Sequence, residues 1–177
     1  LGLGKRVLNM FSYTAAFSVA AAMGGAIETT SVDLAKRSRE LSQAHFEANG
    51  LNVTNHHFVV MDVFEYFKYA KRKNLTFDLI VIDPPSFARN KKQIFSVAKD
   101  YHRLISQALE VLSDDGIIAS TNAANLTVAQ FKKQLEKGFA SVKHEYIRLQ
   151  QLPSDFTVNK ADMSSNYLKV FTIKVEK

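Results

Sequence analysis

Short apolar runs alternate along this chain with longer stretches whose apolar residues recur every three or four positions. The first pattern predicts strands and the second predicts amphipathic helices. Residues 6–10 read as a first strand, and 14–23 as a helix of small residues able to pack closely on a sheet. Residues 26–32 read as a second strand ending at Asp33. The helix after it presents Leu34, Leu41, Ala44 and Ala48 on one face and stops at Asn49-Gly50. A third strand over 56–61 ends at Asp62, and Val63, Phe64, Phe67 and Ala70 then repeat at helical spacing. Residues 78–82 make a fourth strand, and 94–112 a long helix closed by Ser113-Asp114-Asp115-Gly116. A fifth strand over 116–121 precedes a helix marked by Val128, Phe131 and Leu135, with a sixth strand over 141–149 and a seventh over 167–175. Strand–helix alternation with right-handed crossovers builds a doubly wound, mostly parallel α/β sheet. The last strand has no helix before it, so it inserts antiparallel.

The fourth strand ends in the most informative segment, Asp83-Pro84-Pro85-Ser86-Phe87. The apolar, β-branched run before it suits a strand buried on both faces of a parallel sheet, and ligands bind such sheets at the edge where Asp83 sits. Each proline fixes its own φ and drives the preceding residue toward an extended conformation, so the loop is stiff. Asp83 and the Pro84 carbonyl supply acceptors, Pro85 braces them, and Phe87 offers a flat face. That set suits a planar, nitrogen-bearing substrate such as a nucleobase. The bland alternative is a turn in which Asp83 caps the next segment.

The 177 residues are expected to form a single domain, 1–177, with an ordinary share of hydrophobic residues (46%) and charged ones (23%). No apolar stretch reaches membrane-spanning length. Cysteine is absent, which removes disulfides, thiolate metal sites and cysteine nucleophiles and fits a cytoplasmic location. Lys plus Arg is 23 against 17 for Asp plus Glu, a formal charge of +6, which favours polyanionic partners. Lys71-Arg72-Lys73 and Lys132-Lys133 with Lys137 read as solvated patches. Arg89-Asn90-Lys91-Lys92 follows the Asp83 loop directly and could reach phosphates flanking a bound base. The start, Leu1-Gly2-Leu3-Gly4-Lys5, enters a strand almost at once and reads as a domain cut from a longer protein.

Three strand ends bring candidate cofactor ligands together. The first turn carries Asn9, Phe11, Ser12, Tyr13 and Thr14; Asp33 and Leu34 follow the second strand; Asp62 and Val63 follow the third. A carboxylate about 20 residues past the first turn holds a ribose hydroxyl pair in Rossmann-type sheets, and Asp33 lies 24 residues beyond Asn9. Asp62 can accept from an adenine amino group while the Val63 N–H donates to a ring nitrogen. Either acid could instead cap a helix. The first turn lacks G-x-G-x-x-G and has Ala15-Ala16 where glycines are expected, which argues against a pyrophosphate cofactor. S-adenosylmethionine carries no phosphate, and Ser12, Thr14 and backbone groups can hold its amino-acid tail.

The segments Val7-Leu8-Asn9-Met10-Phe11-Ser12-Tyr13-Thr14, Ser31-Val32-Asp33, Asp62-Val63-Phe64 and Asp83-Pro84-Pro85-Ser86-Phe87 resemble the bacterial class I methyltransferases of 23S ribosomal RNA over nearly the whole chain. The resemblance implies a seven-stranded Rossmann-like methyltransferase sheet with an antiparallel last strand, S-adenosyl-L-methionine as cofactor, and 23S ribosomal RNA as partner. It also implies an N-terminal RNA-binding PUA-like domain in longer relatives. The family has a 5-methylcytosine branch and a 7-methylguanine branch. Pyrimidine C5 becomes nucleophilic only after a thiolate adds to the ring. Relatives carry that cysteine just past strand five, where this chain has Ser120-Thr121-Asn122-Ala123-Ala124-Asn125. A purine nitrogen needs only placement in line with the methyl–sulfur bond. Asp155-Phe156 and Asn159 resemble the late loop of the 7-methylguanine branch. The expected reaction is therefore N-methylation of an RNA purine, most simply guanine.

Two other classes stay open: an RNA-binding relative that has lost turnover, and a methyltransferase acting on a protein or small molecule. His56 and His57 face opposite sides of a strand and cannot chelate one metal; no metal site is expected. His45 and His144 read as surface residues, and Asp100-Tyr101-His102-Arg103 as polar helix surface. The oligomeric state is left open, with a homodimer among the options.

Overall fold

In the computed structural model, which describes residues 1–89, 94–122, 126–159, 162 and 165–177, β1 (Arg6–Met10) lies between β2 (Glu28–Asp33) and β4 (Phe77–Ile82). Outside β2 runs β3 (His56–Val60). Beyond β4 come β7 (Leu112–Asn122), β9 (Lys169–Glu176) and β8 (Lys143–Gln150), so the seven-stranded order is β3-β2-β1-β4-β7-β9-β8. A two-stranded ribbon, β5 (Phe87–Arg89) with β6 (Ile94–Ser96), stands apart from the sheet. β9 pairs antiparallel with both β7 and β8, as the sequence implied. The other pairings within the seven-stranded sheet are parallel, so β1, β2, β3, β4 and β7 all end at one edge.

Alternation along the strands sends side chains to two helical layers. Leu8, Met10, Ile80, Ile82, Ile118 and Phe171 meet α3 (Val63–Arg72), α4 (Val97–Leu109) and α5 (Val128–Phe139) in the main core. On the other face α1 (Ala16–Met23) and α2 (Lys36–Ala48) lie near β1, β2 and β3. Farther along that face a groove of about 310 Å3 runs past Val7, Leu79, Val81, Ala119, Thr121 and Val170. The buried face of α3 carries Val63, Phe64, Phe67 and Ala70, as their spacing predicts.

Five expectations are corrected. The helix placed at 94–112 begins only at Val97, because residues 94–96 pair with 87–89 in the ribbon. The fifth strand starts at Leu112 rather than 116. Ser113-Asp114-Asp115-Gly116 does not simply close a helix; it forms an irregularity that shifts the β4–β7 register between Phe77↔Leu112 and Leu79↔Ile117, with Asp115 at φ 56°. The buried side of α2 is Ser38, Ser42 and Phe46; Leu34, Ala44 and Ala48 are exposed. Small hydroxyl residues let the helix approach the first turn, where Ser42 Oγ donates to the Tyr13 carbonyl at 3.2 Å, and Phe46 supplies the apolar bulk. His144 is not a surface residue: it stacks on Phe139 with ring centroids 4.1 Å apart. His56 and His57 do face apart, one bonding Thr29 and the other pairing with Glu28. Among the described residues, no helix is long and apolar enough to cross a membrane.

Candidate active site

The turn after β1 is held in a conformation that its residues do not favour. Phe11 (φ 60°), Tyr13 (φ 46°) and Ala15 (φ 60°) all adopt left-handed backbone, though none is glycine, at about 1 kcal/mol or more each. Hydrogen bonds within the turn and from two neighbouring elements, β2 and α2, hold it there. The Ser12 N–H donates to the Val32 carbonyl at 3.0 Å, and the Ala15 N–H to the Ser12 carbonyl at 2.7 Å. The Tyr13 N–H donates to Asp33 Oδ2 at 2.9 Å. His45 Nδ1, which must carry its proton to do so, donates to the Thr14 carbonyl at 2.9 Å, so His45 is part of this scaffold rather than a surface residue. Ala15 therefore occupies the position where glycine was expected, and its buried methyl packs near Val19 and Phe46.

Asp33 ends β2 with both oxygens engaged, Oδ1 by the Ala35 N–H and Oδ2 by the Tyr13 N–H, both at 2.9 Å. Each oxygen retains a second lone pair for a ribose hydroxyl. Leu34 beside it is 52% exposed and Tyr13 68%, large apolar surfaces at the mouth of the edge. Asp62 caps α3, its Oδ1 accepting from the Phe64 N–H at 3.0 Å and the Glu65 N–H at 3.3 Å. Val63 turns its side chain into the core, which leaves only its backbone for a ligand. Asn9 does not reach the edge: it is fully buried, and its Nδ2 donates to Ser18 Oγ at 3.1 Å beneath α1.

Asp83 follows β4, with its N–H directed at the Met10 carbonyl at 3.4 Å, so it stands beside the first turn. Burial pushes its carboxyl above the usual aspartate range, and a hydrogen bond from the Thr121 side chain draws it partly back. Pro84 is buried while Pro85 and Ser86 are exposed, so the loop is anchored at one proline and open at the next. The Ser86 carbonyl accepts from the Val97 N–H at 3.3 Å, tying the loop to the start of α4. The Phe87 side chain, expected to stack on a base, lies outside the described residues, as do Asn90, Lys91, Lys92 and 123–125. Of the late-loop residues, Asp155, Phe156 and Asn159 are exposed. A methyl-accepting nitrogen near Asp83 would find a carboxylate to orient an amino group.

Two features escaped the sequence reading. Phe95 of β6 is buried against Phe11 and Phe64, with centroids 6.1 and 6.0 Å apart, so the ribbon is fastened to the first turn and the start of α3. Its signal was the β-branched and aromatic pair Ile94-Phe95 inside a supposed helix. Tyr101, read as polar helix surface, is fully buried, and its hydroxyl lies 3.0 Å from the Ile82 carbonyl and 3.1 Å from that of Thr121. No local signal marks that role. A groove of about 590 Å3, lined by Arg6, Glu28, His57, Tyr66 and Tyr69 among others, takes in none of the predicted site residues. No group of three potential metal-ligating residues occurs among the described residues.

The chain is 48% identical over 174 residues to YwbD of Bacillus subtilis, whose name places it among the ribosomal RNA large subunit methyltransferases. It is 40% identical over 159 residues to ribosomal RNA large subunit methyltransferase K of Neisseria meningitidis. These matches cover 97% and 89% of this chain but only 44% of either relative, so the chain spans less than half their length. The crystal structure of SMU.776, described as a methyltransferase in complex with SAH, superposes with a TM-score of 0.96 at 71% identity, covering 98% of this chain and 46% of that one. The family model for S-adenosylmethionine-dependent methyltransferases matches residues 2–166, nearly the whole chain, and the chain belongs to that family.

Proposed function

We propose that this chain is the catalytic domain of an enzyme that methylates large-subunit ribosomal RNA, at a guanine nitrogen. The observation that carries the reading is the half-buried Asp83, set on a proline-braced loop directly beside the first turn. The names of the relatives supply the polymer class. The chain's lack of cysteine supports nitrogen over pyrimidine carbon, because the thiolate route has no nucleophile here.

In this reading Asp33 holds the ribose hydroxyls, Asp62 with the Val63 N–H brackets the adenine, and Ser12 with Thr14 holds the amino-acid tail. The bound cofactor supplies an electrophilic methyl group on a sulfonium. The residues of the chain position the acceptor. Asp83 and the Pro84 carbonyl orient an amino group. The guanine nitrogen forms its bond to the methyl carbon as the carbon–sulfur bond breaks and sulfur keeps the electron pair. Attack by N7 gives a cationic base with no proton to lose; attack by an amino nitrogen releases one, for which Asp83 is the nearest base.

Nucleoside mapping of ribosomal RNA from cells lacking the gene tests the proposal. Loss of a methylated guanosine is expected. Loss of 5-methylcytidine instead would overturn the choice of atom. Radiolabelled methyl transfer by the protein to polypeptide but not to ribosomal RNA would overturn the substrate class.

A further inference from the structure

The β4–β7 ladder ends at Ile82↔Ser120. One residue farther along each strand lie Asp83 and Thr121, whose side chain offsets part of the rise that burial imposes on the Asp83 carboxyl. Strands that stop pairing leave backbone carbonyls without ladder partners, and a buried carbonyl without a donor is costly. Here the carbonyls of Ile82 and Thr121 both face one group, the Tyr101 hydroxyl of α4, at 3.0 and 3.1 Å. Tyr101 is fully buried, and its ring packs edge-on against Phe131 with centroids 4.8 Å apart. Burial holds its hydroxyl protonated far above neutral pH, so at working pH it can only donate to these carbonyls. A single proton shared between the carbonyl of Ile82, the residue before Asp83, and that of Thr121 ties both strands to α4.

From this geometry we infer that Tyr101 is a positioning residue for methyl transfer: its hydroxyl sets the separation of the β4 and β7 ends and thereby the placement of Asp83 relative to Thr121. The inference rests on the reading of Asp83 given above. Tyr101 touches neither cofactor nor base and acts through the backbone of its two acceptors. Losing the hydroxyl frees the strand ends to move apart, and displacements below an ångström at an orienting group are costly to rate.

The test is a kinetic comparison of Tyr101→Phe, Thr121→Val and the double variant with wild-type protein, using ribosomal RNA and S-adenosylmethionine well below each melting temperature. Tyr101→Phe keeps the ring and its packing. Its kcat is expected to fall about tenfold while both KM values stay within about twofold. The double variant is expected to lose no more than the worse single variant, because both substitutions break one linkage. Phe131→Leu, which loosens the packing of the Tyr101 ring without touching the hydroxyl, controls for stability and is expected to keep wild-type kcat. Unchanged kcat in Tyr101→Phe, fully multiplicative losses in the double variant, or an equal loss in Phe131→Leu would each overturn the inference. Should Asp83→Ala retain activity, the reading of Asp83 fails first; an inactive Asp83→Ala beside a fully active Tyr101→Phe sinks the Tyr101 role alone.

Discussion

The Tyr13 amide and the Asp33 carboxylate, 2.9 Å apart, join the turn after β1 to the end of β2 across two strands that run side by side. One carboxylate thus both restrains a strained turn and presents lone pairs at the sheet edge. Asp33→Ala is expected to weaken S-adenosylmethionine binding by about ten- to a hundredfold, the worth of one or two hydrogen bonds to a charged group. The kcat at saturating cofactor should change far less. Isothermal calorimetry alongside steady-state kinetics checks the split; a large fall in kcat with intact affinity would place Asp33 elsewhere in the mechanism.

Asp83 carries the opposite expectation. Asp83→Ala should reduce kcat by about a hundredfold or more and leave cofactor affinity within about threefold. Its raised carboxyl also has a stability consequence. A carboxylate whose pKa rises on folding opposes folding once it is ionised, so the cost is present at neutral pH and disappears as pH falls below the unfolded value near about 4. Asp83→Asn should therefore melt higher than wild type at pH 7.5, with the gap closing toward pH 4. Thermal melts across that range test it.

Arg6 and Asp78 show the reverse sign. Burial raises the Asp78 carboxyl, but hydrogen bonds from the Arg6 side chain and N–H outweigh it, leaving the carboxyl below its ordinary range. That stabilisation is present above the unfolded pKa and is lost as pH drops through the folded value. Asp78→Asn should cost about 1 kcal/mol at pH 7, since the Arg6 side chain is partly exposed. The cost should shrink in acid, as urea melts at pH 7 and pH 3 would show.

Gly138 lies in α5 where an added Cβ would meet the Ile105 Cβ at 2.5 Å and the His102 carbonyl at 2.7 Å. The helices approach this closely because the glycine has no side chain there. Gly138→Ala should destabilise by about 1–3 kcal/mol through overpacking, a fall of about 2–12 °C in melting temperature. An unchanged melting temperature would mean α4 and α5 separate easily.

Much of the architecture was legible because it depends on local periodicity. The runs at 6–10 and 78–82, and the helical spacing of Val63, Phe64, Phe67 and Ala70, each impose a period that nothing distant overrides. The carboxylates at 33, 62 and 83 were legible for the same reason, since a polar residue ending an apolar strand falls at the sheet edge. Where the reading failed, contacts distant in sequence had intervened. Ile94 and Phe95 left the helix because residues 87–89 offered a pairing partner and Phe11 and Phe64 a place to bury a ring. The apolar side of α2 was misjudged because a hydroxyl face fits against the first turn.

The sequence by itself determined the succession of main-sheet strands and helices, the antiparallel last strand, the stiff Asp83 loop and the absence of a thiolate nucleophile, since each follows from residue type and spacing. Only the tertiary structure decided that Asn9 is buried beneath α1, that Phe11, Tyr13 and Ala15 take left-handed backbone, and that Tyr101 joins the ends of β4 and β7. Those outcomes depend on which donors and acceptors, far apart along the chain, meet once the sheet is assembled. Hydrogen-bond partnership over such separations leaves no periodic trace in the order of residues.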